Sequence, residues 1–126
     1  MMISRVFRLL ATIAVISLPL SAFAAKEPIY INLATNDPAK VSMALDAGRR
    51  YAEKGYPIVI YLNDKAVILG VEVKSGGISK EQEAIRQAIA NGATIIVCPS
   101  CLENNSFTQM NLVRGAMLGA DHQNTR

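Results

Sequence analysis

Three short runs of β-branched and aliphatic residues most constrain the fold of this 126-residue chain. They are IYINL at 29–33, PIVIYL at 57–62 and ATIIV at 93–97, and each is apolar along almost its whole length. Strands of this kind are typical of parallel sheets that are buried on both faces. Amphipathic stretches with helical spacing separate them. The pattern predicts an α/β fold, a small three-layer sandwich with a parallel central sheet.

The stretches between the runs carry helix-boundary signals. Asp37 can cap the first helix, which we expect to stop at Gly55. Ser79 and Gln82 have the spacing of a capping box at the start of the second helix. The segment KAVILGVEV at 65–73 fits a short helix and a strand equally well, so its structure stays open.

The N-terminus has the pattern of a secretory signal. Arg5 and Arg8 form a basic start, residues 9–20 are an apolar run, and SAFAA at 21–25 contains the small-residue pattern of a signal-peptidase site. An apolar helix of this length is too short for a hydrocarbon core of ~30 Å. We therefore predict a signal peptide over residues 1–24, cleaved after Ala24 or Ala25, and a periplasmic or secreted protein that keeps no membrane attachment.

The predicted mature chain, residues 25–126, suffices for one domain with one core. The whole chain has 13 basic and 10 acidic residues, and two of the basic ones lie in the predicted signal peptide, so the domain is nearly neutral. It has no Lys/Arg run interleaved with aromatic residues, which argues against nucleic-acid binding. No cofactor is predicted.

The only two cysteines, Cys98 and Cys101, form a C-x-x-C motif directly after the third predicted strand. Parallel sheets bind ligands beyond the carboxyl ends of their strands, where strand order reverses. Pro99 can begin a short helix, and a helix N-terminus lowers the pKa of a thiol placed there. This position favours Cys98 as a nucleophile, with Cys101 as a resolving or supporting thiol.

Polar residues that follow the first two strands are predicted, by position alone, to line the same pocket. They are Thr35, Asn36, Asn63 and Asp64. Turn and helix-cap chemistry is the alternative role for all four, and it is favoured for Asn36 and Asp64.

The residue inventory leaves several uses of the pair open. They are a persulfide-forming nucleophile, a dithiol/disulfide couple, a soft-metal site and a structural disulfide. For a metal, His122 is the only histidine, and Met43, Met110 and Met117 could supply thioethers to Cu(I), although such methionines are more often core filler. One C-x-x-C excludes a closed four-sulfur zinc site within one chain, and no metal is predicted.

The chain resembles the DsrE/DsrF-like family of the YchN and TusD type, and more closely its exported members. Four segments carry the resemblance: INLATNDP, MALDAGRRYAEKGYPIVIYLN, ANGATIIVCPSCLE and NLVRGAMLGA. It implies a parallel α/β fold, a homotrimer or homohexamer, and a strand-end cysteine that accepts sulfur as a persulfide. That cysteine matches Cys98, and the implied partner is a sulfur donor or acceptor protein or a small sulfur species.

Two departures from the family pattern shape the expectation. An oxidising compartment would close the cysteine pair unless a reductant is supplied, and the family usually has a further strand where this sequence ends in ADHQNTR. The leading hypothesis is an exported DsrE-like, sulfurtransferase-like carrier that acts through Cys98. The alternatives are a non-enzymatic oligomeric binding module with a structural Cys98–Cys101 disulfide, and a soft-metal carrier.

Overall fold

The computed structural model describes residues 24–120. The predicted signal peptide, the tail after residue 120 and His122 lie outside the described residues, apart from Ala24. In chain order the elements are β1 (Ile29–Leu33), α1 (Pro38–Glu53), β2 (Ile58–Leu62), a 3-10 segment (Asp64–Gly70), α2 (Lys80–Ala90), β3 (Thr94–Val97), α3 (Pro99–Asn104), a 3-10 turn (Gln109–Asn111) and β4 (Ala116–Leu118). None of the helices in this part of the chain is long and apolar enough to cross a membrane.

Side-chain hydrogen bonds to the backbone confirm the predicted starts of α1 and α2. The Asp37 carboxylate accepts the Lys40 backbone N–H at 3.0 Å, which caps α1. At the start of α2, the Ser79 hydroxyl accepts the Gln82 N–H at 3.1 Å, and the Gln82 side chain accepts the Ser79 N–H at 2.9 Å. The α1 helix ends at Glu53, and Gly55 leaves it with a φ of +86°.

The ambiguous segment after β2 is mostly a 3-10 helix over Asp64–Gly70. Ala66, Val67 and Leu69 are buried within it. Gly70 approaches the sheet so closely that an added Cβ would lie 3.0 Å from the Leu62 side chain. Packing against the sheet, rather than a local preference, therefore decides the structure of this segment.

The four strands lie in the order β1-β2-β3-β4, and every neighbouring pair is parallel. This confirms the predicted α/β fold with a parallel sheet. The sequence did not predict β4, which pairs with Ile95–Val97 of β3. Strand order follows chain order across the sheet, so its described part contains no reversal in strand order of the kind that usually marks a binding crevice.

One face of the sheet forms the protein core. Ile60 and Leu62 of β2 and Ile95 and Val97 of β3 project from this face and are fully buried. The α1 helix lies close against it at Gly48, where a Cβ would lie only 2.8 Å from the Ile31 side chain. Ile95 and the other side chains of this face thus form the sheet side of the apolar core, which the helices and the 3-10 segment complete.

The opposite face, called the open face below, has no buried side chain within residues 24–120. Successive parallel strands joined by crossovers of one hand place all their connections on the same side of a sheet. The second covering layer of the predicted sandwich therefore does not come from this part of the chain. Seven residues form the open face: Tyr30, Asn32, Val59, Tyr61, Thr94, Ile96 and Met117.

Candidate functional site

Cys98 lies at the carboxyl edge of the sheet, one residue beyond β3. Its backbone N–H donates to the Leu62 carbonyl at 2.9 Å, and the Asn63 N–H donates to the Leu33 carbonyl at 3.0 Å. These bonds extend the strand ladders by one residue, so Asn63 and Cys98 stand on neighbouring strands, about 4.8 Å apart. The predicted position of Cys98 at this edge is therefore observed.

The chain turns from β3 directly into α3 at Cys98. Cys98 is the N-cap, Pro99 takes the first helical position, and the Cys98 Sγ accepts the Cys101 backbone N–H at 3.2 Å. The Ser100 hydroxyl lies 3.5 Å from the same sulfur. The predicted short helix after Pro99 is confirmed. The Cys98 sulfur therefore accepts a backbone N–H from the first turn of α3.

Cys98 and Cys101 are joined by a disulfide, with their Cα atoms 5.3 Å apart. This separation is usual for a disulfide, so the bond closes without rearrangement of the backbone. Cys98 is 8% exposed, and Cys101 is half-buried.

Two solved structures share this architecture. The protein of unknown function MTH1491 from Methanobacterium thermoautotrophicum aligns with a TM-score of 0.67 and 11% identity, over 76% of this chain and 84% of that one. The ychN protein from E. coli aligns with a TM-score of 0.58 and 20% identity, over 75% of this chain and 84% of that one. The chain has the YchN fold. No family model and no curated protein matches the sequence.

Within the YchN fold, Asn105 is a site residue that the sequence did not reveal as such. Its side-chain amide donates to the Cys101 carbonyl at 2.7 Å and to the Asp64 carbonyl at 3.4 Å. Asp64 adopts a φ of +46° two residues after the end of β2. Asn105 therefore ties the cysteine helix to the neighbouring strand end. Its place just after a short predicted helix was the only signal in the sequence.

Replacing Asn105 with alanine should remove both bonds and destabilise the oxidised protein by about 0.5–1.5 kcal/mol. The exposed neighbour Asn104 makes no side-chain hydrogen bond within residues 24–120, so Asn104→Ala is the matched control and should stay within about 0.5 kcal/mol of the wild type. Denaturant unfolding measures both. Equal losses in the two variants would contradict the bridging role of Asn105.

The four predicted pocket residues do not form one group in the YchN fold. Asn63 adjoins Cys98, but its side-chain amide donates to the Asn32 side chain. Thr35 accepts the Asp37 N–H at 3.1 Å, which is turn chemistry. Asp64 is exposed and holds Asn105 through its backbone carbonyl.

Asn36 lines a different space, an open cavity of about 770 Å³ beside the glycine-rich loop at 74–78 and the start of α2. Neither cysteine lines this cavity. Asn63 and Asp64 are thus the two predicted residues on the strand end next to Cys98, while Thr35 and Asn36 follow β1.

Residues 24–120 contain no group of three or more His, Cys, Asp or Glu side chains arranged to hold a metal ion. The expectation that the methionines fill the core is wrong, because Met43, Met110 and Met117 are exposed. They lie on α1, on the turn Gln109–Asn111 and on β4, and so on three separate elements.

Proposed function

We propose that this protein is an exported member of the DsrE/DsrF-like family that carries sulfane sulfur or exchanges disulfides through Cys98. One observation carries the proposal: two cysteines at disulfide distance lie at the carboxyl edge of a parallel sheet, and the sulfur of the first accepts a helix N–H. The YchN fold and the family-like segments around the motif support it. Cys101 acts as the resolving thiol.

Sulfur uptake begins from the reduced pair. The Cys98 thiolate attacks the terminal sulfur of a persulfide donor, the sulfur–sulfur bond of the donor breaks, and its inner sulfur leaves as a thiolate that takes up a proton. The product is a Cys98 persulfide. The Cys101 N–H, 3.2 Å from Sγ in the disulfide, can hold the attacking thiolate before the step.

Two fates are open to the persulfide. An acceptor thiolate can take its outer sulfur and leave Cys98 as a thiolate. Alternatively, the Cys101 thiolate attacks the Cys98 sulfur and expels hydrosulfide, which leaves the disulfide of the present structure. A dithiol reductant must then supply two electrons to reopen the pair.

The compartment is part of the proposal. Export rests on the basic start, apolar run and small-residue site of residues 1–24. Outside the cytoplasm the disulfide is the resting state. An exported carrier of this type therefore works together with an exported reductant, and the sulfur it carries comes from a donor in the same compartment.

A second candidate is favoured by the low exposure of Cys98. The Cys98–Cys101 disulfide, whose first cysteine is only 8% exposed, is also consistent with a purely structural cross-link in a non-enzymatic binding module. Structural disulfides have reduction potentials below about −300 mV, whereas catalytic and regulatory disulfides have higher reduction potentials. The potential of the Cys98–Cys101 pair distinguishes the two functions.

The test equilibrates the full chain, with its mature N-terminus mapped, in a series of thiol–disulfide buffers and traps free thiols by alkylation. We expect the folded protein to open the pair reversibly at a potential above about −300 mV. The Ser100→Ala variant keeps both cysteines and removes the hydroxyl that lies 3.5 Å from the Cys98 sulfur, so it serves as the control for the surroundings of that sulfur. If neither cysteine is alkylated until the chain unfolds, the disulfide has a purely structural role.

A further inference from the structure

The open cavity of about 770 Å³ beside the glycine-rich loop at 74–78 is called the loop cavity below. Its wall combines the end of the 3-10 segment Asp64–Gly70, the loop that follows, the first turn of α2 and the chain just after α3. A volume of this size is typical of sites that hold drug-sized molecules. The loop cavity is therefore large enough for a small-molecule ligand, and it is separate from the cysteine pair.

Apolar side chains that are open to solvent are concentrated in the loop cavity. Ile68, Val73 and Ile78 belong to its wall and are 38%, 37% and 48% exposed. The half-buried ring of Phe107 is also part of the wall. Exposed aliphatic side chains that are scattered singly need no explanation, but a group of them in a concave surface marks a binding site.

Three amide side chains in the wall have hydrogen-bonding groups without a partner in the described part of the chain. Gln82 is 6% exposed, and its amide group donates to the Ile68 carbonyl at 3.0 Å, which leaves a second N–H. Asn111 accepts the Thr108 N–H through its side-chain oxygen at 2.9 Å, so its NH2 group remains available. The Asn36 side chain is available as a whole. Because N–H donors are in excess, a ligand that presents a carbonyl oxygen is the best match.

The charges on the wall of the loop cavity are balanced. Glu72 forms an ion pair with Arg86, with 2.9 Å between the charged atoms. Lys74 and Glu81, the other charged residues of the wall, have opposite signs. Ligands of either charge would be attracted by one group and repelled by the other, so the cavity favours an uncharged ligand.

We propose that the loop cavity binds an uncharged ring compound that carries a carbonyl oxygen. The ring packs against Ile68, Ile78 and Phe107, and the amide groups of Asn36 and Asn111 donate hydrogen bonds to the oxygen. Neither cysteine lines the cavity, so this binding activity goes beyond the proposed sulfur chemistry and does not depend on it.

Titration of the full chain with Prodan tests the site. Prodan is an uncharged naphthalene ketone whose fluorescence changes in apolar surroundings, and we expect saturable binding of one molecule per chain. Ile78→Ser removes an apolar part of the wall and should raise the dissociation constant at least about fivefold. Met117→Ser is the matched control, because Met117 is 52% exposed but lies on β4 in the open face of the sheet. It should bind Prodan like the wild type, and circular dichroism verifies that both variants fold.

A further variant tests the contact with the carbonyl oxygen. Asn36→Leu keeps the approximate size of the side chain and removes its amide group. It should weaken the binding of Prodan by at least about threefold, the effect of one lost hydrogen bond. The binding of dimethylaminonaphthalene, which has the same ring system without the ketone, should stay the same in this variant.

Three results would overturn the proposal. They are a wild-type chain that shows no saturable Prodan binding, equal weakening by Ile78→Ser and Met117→Ser, and an Asn36→Leu variant that weakens both ring compounds equally. The second result would mean that Prodan binds to exposed apolar surface in general. The Cys98→Ser protein should bind Prodan like the wild type, so failure of the sulfur chemistry and failure of this site can be told apart.

Discussion

The Cys98→Ser protein is expected to take up sulfur from a persulfide donor at least about a hundredfold more slowly than the wild type, because a serine hydroxyl does not ionise near neutral pH as a thiol does. The Cys101→Ser protein should keep the uptake step. Its persulfide should also last longer, since the thiol that expels hydrosulfide is gone. Intact-protein mass spectrometry of the pre-reduced full chain gives both rates.

The two serine variants control for each other. Each lacks the disulfide, so each loses whatever stability that cross-link gives, and the difference between them reports on chemistry alone. The Cys98 sulfur is the one that accepts the Cys101 N–H, which is why uptake is assigned to it. Equal uptake by the two variants, or faster uptake by Cys98→Ser, would show that the roles are wrongly assigned.

Ile95→Ala should destabilise the protein by about 2–5 kcal/mol, the usual cost of removing a buried isoleucine side chain. Ile95 is fully buried on the core face of β3. Ile96, the next residue on the same strand, lies on the open face and is only half-buried. The Ile96→Ala variant is the matched control and should cost about 1 kcal/mol or less.

Denaturant unfolding measures the stability of both isoleucine variants. A cost for Ile96→Ala as large as that of Ile95→Ala would contradict the assignment of Ile96 to the open face.

The sequence predicted the elements whose signals are local. The β1 strand and the start of α2 lie where the apolar run and the capping box of Ser79 and Gln82 placed them. Asp37 caps α1 as predicted. Such signals depend on residues within one helical turn or one strand, so they survive without knowledge of the tertiary structure.

Features set by distant contacts were not predictable. The β4 strand has only three residues, Ala116–Leu118, and it is defined by its parallel pairing with the edge of β3. Because Val59 and Ile96 are apolar, their strands are apolar along almost their whole length, and this pattern indicated a sheet buried on both faces. The described part of the chain covers only one of the two faces. Coverage depends on the side to which every crossover passes, and no single segment encodes that.

The candidate site shows the same contrast between features with a local sequence signal and features set by distant contacts. A strand followed at once by Cys98 and Pro99 was enough to place Cys98 at the sheet edge and a helix after it. The contact of Asn105 with Asp64 joins residues 41 positions apart, and no local pattern announces it. Spatial partners of the cysteine helix therefore required the structure.

The most direct test of the sulfur-carrying role maps the added sulfur to a residue. The pre-reduced full chain is incubated with a persulfide donor, alkylated, digested and sequenced by mass spectrometry. The predicted result is one additional sulfur atom on Cys98, lost from the Cys98→Ser protein and retained in Cys101→Ser. Sulfur found only on Cys101, or on neither cysteine while the pair is demonstrably reduced, would contradict it.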